Sequence, residues 1–183
     1  MTPVRPTYTL HVAGLTRELP LFSIAPHLSI AVFNMLGDTE LVQACAPALA
    51  EKLASIEFDI LVTAEAKSIP LAYAMSVIMR KPYIVLRKAY KPYMGAALTS
   101  ETLSITTGHT QMLFLDEKDH NSLRGKNVLI LDDVISTGST LNGMKQLMDQ
   151  AGANIVATAA VLTEGDGDWS GIVALGNLPL FKD

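Results

Sequence analysis

The chain has 183 residues, of which 49% are apolar and 17% are charged, and its formal net charge is −4. This length fits one domain, the apolar content excludes a globally disordered chain, and the negative charge argues against nucleic-acid binding through bulk positive charge. A single cysteine, Cys45, allows no internal disulfide, and the chain shows neither a signal-peptide core nor an apolar run long enough to span a bilayer. We therefore expect a single cytoplasmic domain, residues 1–183, with no nucleic-acid and no membrane partner.

The N-terminal segment predicts a β-hairpin. Apolar and polar residues alternate over 8–12 and again over 15–21, and Ala13-Gly14 between them is a turn signal. We expect this segment, residues 1–27, to form a small hood beside the main domain.

After the hairpin, apolar strands alternate with helices. Short apolar runs predict strands over 30–33, 58–62, 83–86, 128–131 and 155–162. Helical spacing predicts helices over 41–53, from Pro70 to about Met79, and from about Ser139 to a cap at Gly152. Strands that are apolar throughout and alternate with helices are typical of a buried parallel sheet. The predicted fold is α/β, with a doubly wound, mainly parallel sheet and helices on both faces.

Residues 89–111 interrupt this alternation. Pro92, Gly95 and several small residues leave 89–100 without a clear period, and 103–105 and 112–115 flank Thr107-Gly108 like the arms of a hairpin. We expect this segment to be a flexible lid, because closure of such a loop excludes water from the site beneath it.

The residues that suggest chemistry follow the most continuous apolar run, 128–131. Two carboxylates, Asp132 and Asp133, end that run. Small hydroxyl and glycine residues then lead into a helix, and they are Ser136, Thr137, Gly138, Ser139 and Thr140. Backbone N–H groups, hydroxyls and a helix N-terminus favour a bound phosphate, and the carboxylates suit sugar hydroxyls or a divalent cation. A ribose 5-phosphate fits both halves, although turn bonds and helix capping would explain the same residues without a ligand.

The segment 128–140 resembles the signature of the type I phosphoribosyltransferases, which bind 5-phosphoribosyl-1-pyrophosphate. The resemblance extends over about 28–162, and 61–70 and 85–91 are most similar to the adenine branch and to the purine-repressor effector domain. It implies transfer of the phosphoribosyl group to a purine-type nucleobase, adenine before others, with release of pyrophosphate. It also implies Mg²⁺ as the cofactor and a homodimer. Thr106-Thr107-Gly108 departs from the adenine branch, which carries an acidic and an aromatic residue before this glycine.

The resemblance also implies roles for individual residues. Asp132 and Asp133 become the catalytic carboxylates and the Mg²⁺ ligands, directly or through water, and residues 136–140 bind the 5-phosphate. Pyrophosphate binding falls to Ala66, Lys67, Ser68, Arg87, Lys88 and Lys91. Five of the 14 Lys and Arg residues lie within 80–91, where the alternative is an ordinary solvated face. Base binding falls to Phe33, Asn34 and Ile135, and core packing or a turn is the alternative for Phe33 and Asn34.

The sequence is compatible with two other functions. A phosphoribosyl-pyrophosphate-binding regulator or sensor would keep the phosphate loop without the chemistry, although about 27 residues before the first predicted strand of the main pattern are too few for a winged helix. A purely structural subunit would leave the polar strand ends unexplained. Cys45 lies on an apolar helical stripe, which predicts a buried and inert thiol. Trp169, in a turn rich in glycine and aspartate, is expected to be exposed or to lie against a partner chain.

Overall fold

A computed structural model of the chain describes residues 5–103 and 110–182, apart from the side chain of Leu103. In chain order its elements are β1 (Thr7–Val12), β2 (Leu15–Ala25), β3 (Leu28–Ala31), α1 (Thr39–Lys52), β4 (Ile60–Ala64), α2 (Ile69–Met79), β5 (Tyr83–Leu86), a 3-10 turn (Pro92–Met94), β6 (Leu98–Leu103), β7 (Thr110–Leu115), α3 (Glu117–Leu123), β8 (Asn127–Ile135), α4 (Ser139–Ala151), β9 (Asn154–Glu164), β10 (Val173–Leu178) and β11 (Phe181–Lys182). Within these residues, no helix combines the length and the apolar character needed to cross a membrane.

Five strands form a parallel sheet in the order β10-β9-β8-β4-β5. The central strand, β8, sends successive side chains to opposite faces, as strands do. Leu129 and Leu131 join the core that α1 and α2 cover, whereas Val128 and Ile130 join a second core under α4. Helices therefore cover both faces of the parallel sheet, and the predicted doubly wound α/β fold is confirmed.

The helices begin and end at residues whose chemistry explains the boundaries. Asp38 caps α1 by accepting a hydrogen bond from Leu41 N at 3.0 Å. Pro70 lies in the first turn of α2, where its missing N–H leaves no helical hydrogen bond unmade. Gly152 ends α4 in the left-handed conformation, with φ 69°, which glycine adopts without steric cost.

The N-terminal hairpin belongs to a second, antiparallel sheet with the order β1-β2-β3-β11. The strand predicted at 30–33 is observed as β3, and it pairs with β2 in this sheet rather than with the parallel one. The reason is local, because the tight turn at Pro26-His27 joins β2 directly to β3 and makes them a hairpin. Arg17 of β2 connects this hood to α1 by donating to Asp38 and to Glu40, each at 2.7 Å.

The predicted lid, 89–111, contains more regular structure than its sequence suggests. It includes the 3-10 turn, all of β6 and the start of β7, and the two strands pair as an antiparallel hairpin. This hairpin packs along α4 at Gly143, where an added Cβ would lie 3.1 Å from Leu113 and 3.2 Å from Ser100. The absence of a side chain at Gly143 therefore allows the close approach. Thr106-Thr107-Gly108 lies outside the described residues.

Trp169 is not fully exposed, unlike the first of the two placements that its sequence context predicts. Its ring is half-buried and packs, with Ile172, against the second core. Its indole N–H donates to the carbonyl of Gly165 at 3.2 Å. The polar residues around Trp169 suggested exposure, but the turn folds back over the sheet and leads into β10, a strand that the sequence analysis did not anticipate.

Candidate functional site

Two cavities meet at the carboxyl edge of the parallel sheet, where β8 ends. The cradle cavity has a volume of about 180 Å³ and is lined by the chain as it passes from β8 into α4. The lysine cavity has a volume of about 190 Å³ and is lined by the loop between β4 and α2, together with Lys88. Asp132, Val134 and Thr140 line both. Ligands of open α/β sheets bind beyond the carboxyl ends of the strands, so this junction is the candidate site.

The cradle cavity contains the whole predicted phosphate loop. Its lining includes Ser136, Thr137, Gly138, Ser139 and Thr140. Gly138 has a left-handed φ of 76°, and its carbonyl accepts the first helical bond, from Asn142 N at 2.8 Å. The first N–H groups of a helix form the positive end of its dipole, and in α4 the first of them, Ser139 N, donates to Thr137 Oγ1 at 3.5 Å. The loop therefore presents neutral donors to one concave surface, as phosphate binding requires.

Two further residues line the cradle cavity. Ile135, a predicted base-binding residue, lines it from the end of β8, and its side chain is 3% exposed and packs in the second core. Gln111 lines it from β7, and its side-chain oxygen accepts a hydrogen bond from Thr140 Oγ1 at 3.2 Å. Nothing in the sequence singles out Gln111, because it lies 29 residues from Thr140 and only the tertiary fold brings them together.

The loop between β4 and α2 forms one wall of the lysine cavity. Ala66, Lys67 and Ser68, the predicted pyrophosphate loop, all line it. The Ser68 hydroxyl is buried, accepts a hydrogen bond from Thr63 Oγ1 at 2.7 Å and donates to the carbonyl of Ala64 at 3.0 Å. The Ser68 side chain therefore fixes the loop on the end of β4, and Lys67 supplies the cation.

Glu65 connects this loop to the end of β5. Its carboxylate accepts hydrogen bonds from Arg87 Nε at 2.5 Å and from Lys88 N at 2.6 Å. Burial opposes the ionised form, but these two donors hold the pKa of Glu65 below its ordinary value. Lys88 lines the lysine cavity, whereas Arg87 pairs with Glu65 and lines a separate surface cavity with Asp116.

Of the predicted pyrophosphate contacts, the structure thus brings Lys67 and Lys88 together. In the part of the chain that the structure describes, Arg87 and Lys91 line neither the lysine cavity nor the cradle cavity. The Glu65 carboxylate accounts for Arg87, because it neutralises and orients that guanidinium. Lys91 is exposed and precedes the 3-10 turn.

The two carboxylates lie at the junction of the cavities. Asp132 Oδ1 accepts a hydrogen bond from Asp133 N at 2.9 Å, and burial together with the neighbouring Asp133 charge raises the pKa of Asp132. Asp133 is 8% exposed, and among the described residues its Oδ2 has no hydrogen-bond partner. A carboxylate oxygen that lacks a donor, beside a second carboxylate, matches the oxygen ligands that Mg²⁺ prefers. The described residues contain no cluster of three or more His, Cys, Asp or Glu side chains suited to a metal ion.

The structure corrects the predicted base contacts. Phe33 is 2% exposed and packs in the first core, so its ring is not available to stack on a base. Phe33 lines neither cavity, and its carbonyl accepts a hydrogen bond from Lys67 Nζ at 3.1 Å. The side chain of Asn34 is exposed and accepts from Leu36 N at 3.2 Å, which is a turn contact. Ile135 alone of the three lines one of the two cavities.

Comparison with known families places these residues in a wider context. The model of the phosphoribosyl transferase domain matches residues 34–168. The purine biosynthesis transcriptional repressor PurR of Bacillus subtilis is 32% identical over 144 residues, which is 79% of this chain and 50% of the repressor. The adenine phosphoribosyltransferase of Thermosipho africanus is 30% identical over 148 residues, 80% of this chain and 83% of the relative.

A further relative and a solved structure extend the comparison. The hypoxanthine/guanine phosphoribosyltransferase of Methanocella paludicola is 34% identical over 116 residues, 63% of this chain and 57% of the relative. The chain thus spans between half and about four-fifths of the length of these relatives. The crystal structure of adenine phosphoribosyltransferase from Rhodothermus marinus has a TM-score of 0.66 at 20% identity and covers 94% of each chain. That likeness supports the fold.

Proposed function

This chain belongs to the phosphoribosyl transferase domain family, and we propose on that premise that it is an enzyme that transfers the phosphoribosyl group of 5-phosphoribosyl-1-pyrophosphate to a purine-type base. Pyrophosphate is the second product. The observation that carries the proposal is the meeting of two anion-binding surfaces at one carboxylate pair. Neutral donors of 136–140 form one surface, and Lys67 and Lys88 line the other. A ribose with a phosphate at one end and a diphosphate at the other presents its groups in this order.

In the proposed reaction, a ring nitrogen of the base bonds to the anomeric carbon as the bond from that carbon to the pyrophosphate oxygen breaks. The pyrophosphate leaves with the bonding electrons, so positive charge develops on the sugar and negative charge on the leaving group. The base gives up one ring N–H proton, which the released pyrophosphate or water accepts. Asp132 and Asp133 would accept hydrogen bonds from the ribose hydroxyls and orient the ring. The ammonium groups of Lys67 and Lys88 would stabilise the departing diphosphate. The segment 89–111 is the proposed lid that excludes water from the activated sugar.

We propose that Asp132 and Asp133 also hold Mg²⁺, directly or through water. When bound, the ion would neutralise charge on the leaving diphosphate. The oxygen of Asp133 that lacks a hydrogen-bond partner supports this assignment.

Adenine is the base that we propose first, because the chain aligns with 83% of the Thermosipho africanus adenine enzyme. Hypoxanthine and guanine are the competing bases, since the hypoxanthine/guanine enzyme of Methanocella paludicola is 34% identical to the matched part of this chain.

We further propose that the enzyme acts as a homodimer in the cytoplasm. The outward face of α2 supports a protein contact, because it carries three large apolar side chains that are about half exposed or more: Tyr73 at 59%, Val77 at 60% and Ile78 at 47%. Tyr73 and Val77 are neighbours one turn apart on α2, and exposed apolar side chains that lie together are typical of an interface. Cys45 is the chain's single cysteine, which is consistent with a compartment where disulfides are rare.

A regulator that binds 5-phosphoribosyl-1-pyrophosphate without turnover is the second candidate. The similarity to PurR of Bacillus subtilis, 32% identity over half of that repressor, favours it. In this case the cradle and lysine cavities would bind the same ligand, and no base would react.

Pyrophosphate release separates the two functions. The protein is incubated with Mg²⁺, 5-phosphoribosyl-1-pyrophosphate and each of adenine, hypoxanthine and guanine, while ligand binding is followed by calorimetry. Turnover with one base supports the enzyme and identifies its substrate, and binding without turnover supports the regulator. Asp132→Asn and Asp133→Asn should abolish either function, whereas the exposed Asp149→Asn should change neither. Absence of both binding and turnover in the unsubstituted protein would refute both functions.

A further inference from the structure

Gln111 belongs to β7, and its side chain contacts the phosphate loop at Thr140. Residues 134–141 supply most of the lining of the cradle cavity, and they are consecutive in the chain. Gln111 lies in β7, at the end of the proposed lid 89–111, yet it lines the same cavity and accepts from Thr140 Oγ1 at 3.2 Å. One carboxamide therefore joins the hairpin to the start of α4.

The position of Gln111 is fixed by the packing around it. Gln111 pairs with Thr102 across the hairpin, and the Thr102 methyl group would lie 3.4 Å from a Cβ added at Gly143 of α4. Farther along α4, Gln150 Nε2 donates to the carbonyl of Thr99 at 3.0 Å. The hairpin is therefore held against α4 on both sides of Gly143, and Gln111 is held at the helix end that forms the phosphate loop.

The donors available at this contact explain what Gln111 can do. A threonine hydroxyl has one hydrogen, and without ligand Thr140 gives it to the oxygen of Gln111. A phosphate offers only acceptors, so the Thr140 hydrogen must leave Gln111 if it is to reach a bound phosphate. Half a turn of the carboxamide then presents its NH₂ group, which has two hydrogens. One can bind the Thr140 oxygen and the other can bind the anion, so the contact between Gln111 and Thr140 is kept and the anion gains a donor.

We propose that Gln111 is a phosphate-binding residue that inverts its carboxamide when the 5-phosphate of the substrate enters the cradle cavity. This inference rests on the proposed function, because it takes a ribose 5-phosphate group as the ligand. Gln111 then supplies a side-chain donor to an anion that is otherwise bound by residues 136–140. It also connects occupation of the phosphate loop to the hairpin of the proposed lid.

Titration of the full chain with ribose 5-phosphate tests the proposal, and pyrophosphate serves as the comparison ligand. Gln111→Met keeps the length of the side chain and removes its donors, so the Kd for ribose 5-phosphate should rise about tenfold to a hundredfold, as for the loss of a hydrogen bond to a charged group. Gln111→Glu preserves the acceptor for Thr140 but adds a negative charge, so it should weaken binding further. The Kd for pyrophosphate should stay unchanged in both variants, because Gln111 does not line the lysine cavity.

Gln150→Met is the matched control. Gln150 is also a glutamine that connects α4 to the hairpin, but its contact is with Thr99, away from the cradle cavity. Its Kd for ribose 5-phosphate should equal that of the unsubstituted protein. An equal rise of the Kd for ribose 5-phosphate in the Gln150 and Gln111 variants would overturn the proposal, because Gln111 would then act only by holding the hairpin against α4. Unchanged binding by folded Gln111→Met would also overturn it and leave the proposed function intact. Failure of the unsubstituted protein to bind ribose 5-phosphate would overturn both.

Discussion

Replacing Gly138 by alanine isolates the conformational requirement of the phosphate loop. Gly138 has φ 76°, and nothing lies within 4 Å of the position that a Cβ would take. The substitution therefore adds no steric clash, and its cost comes from the left-handed backbone alone. For an L-residue this conformation costs about 1–2 kcal/mol.

Gly125 offers a matched comparison at the opposite edge of the sheet. It has φ 68°, it also has open space around its Cβ position, and it lies just before the start of β8. Alanine reduces the conformational freedom of the unfolded chain equally at both sites, so that contribution cancels between the variants. Gly125→Ala should show the whole backbone cost as lost stability, about 1–2 kcal/mol, with no change in ligand binding.

Gly138→Ala should divide the same cost between stability and binding. If the loop keeps its shape, the free energy of unfolding falls as in Gly125→Ala. If the loop relaxes without ligand, stability is largely preserved, and the Kd for ribose 5-phosphate rises by up to about 5–30-fold, because every 1.4 kcal/mol is about tenfold. Urea unfolding and calorimetric titration measure the two parts, whose sum should match the stability loss of Gly125→Ala. A Gly138→Ala protein with unchanged stability and unchanged affinity would refute this reasoning.

Three other predictions concern the body of the protein. Asp38→Ala should lower stability by about 1 kcal/mol, because it removes the cap of α1, and Asp38→Asn should lose less, since it keeps an acceptor for the cap. Arg17 and the capped amide lower the pKa of Asp38. The ionised carboxylate therefore contributes its full stabilisation above the ordinary value of 3.8, and this stabilisation is lost as the pH falls through the lowered pKa. Urea unfolding should accordingly show a smaller difference in stability between the unsubstituted protein and Asp38→Asn at acidic pH than at neutral pH. Burial raises the pKa of the Cys45 thiol to about 11, so a thiol-reactive dye should label it only in denaturant, and labelling of the native protein at neutral pH would contradict this. Met144→Ala in the second core, where Met144 is 0% exposed, should cost about 2–5 kcal/mol, whereas the exposed Lys145→Ala should stay within about 0.5 kcal/mol by thermal unfolding.

The features that were predictable from the sequence have local causes. The strand at 83–86 is observed as β5 with the same bounds, and the helix after the phosphate loop starts at Ser139 and stops at Gly152. Apolar continuity, a left-handed glycine and a run of small polar residues each act within a few positions. The cradle cavity could be predicted for the same reason, because residues 136–140 follow one another in the chain.

The features that the sequence analysis missed depend on distant partners. The apolar run at 30–33 fits a strand of either sheet, and its short connection to β2 determines that it joins the antiparallel one. Arg87 was assigned to pyrophosphate because it belongs to a cluster of cations, yet Glu65, 22 residues away, engages it. Phe33 suits a core as well as a ligand, and its burial at 2% exposed decides for the core. A sequence shows which residues are charged or apolar, but it does not show which distant residues they contact in the fold.

The anion binding that we propose for the two cavities depends on different physical interactions, and dissolved salt should therefore affect it unequally. None of the residues 136–140 carries a charge, so the cradle cavity relies on neutral donors at contact distance. The lysine cavity relies on the cations of Lys67 and Lys88, whose attraction ions screen over a Debye length of about 8 Å at physiological ionic strength. Added salt should weaken the binding of pyrophosphate more than that of ribose 5-phosphate. As the ionic strength rises, we therefore expect the 5-phosphate of the proposed substrate to lose less binding free energy than its pyrophosphate.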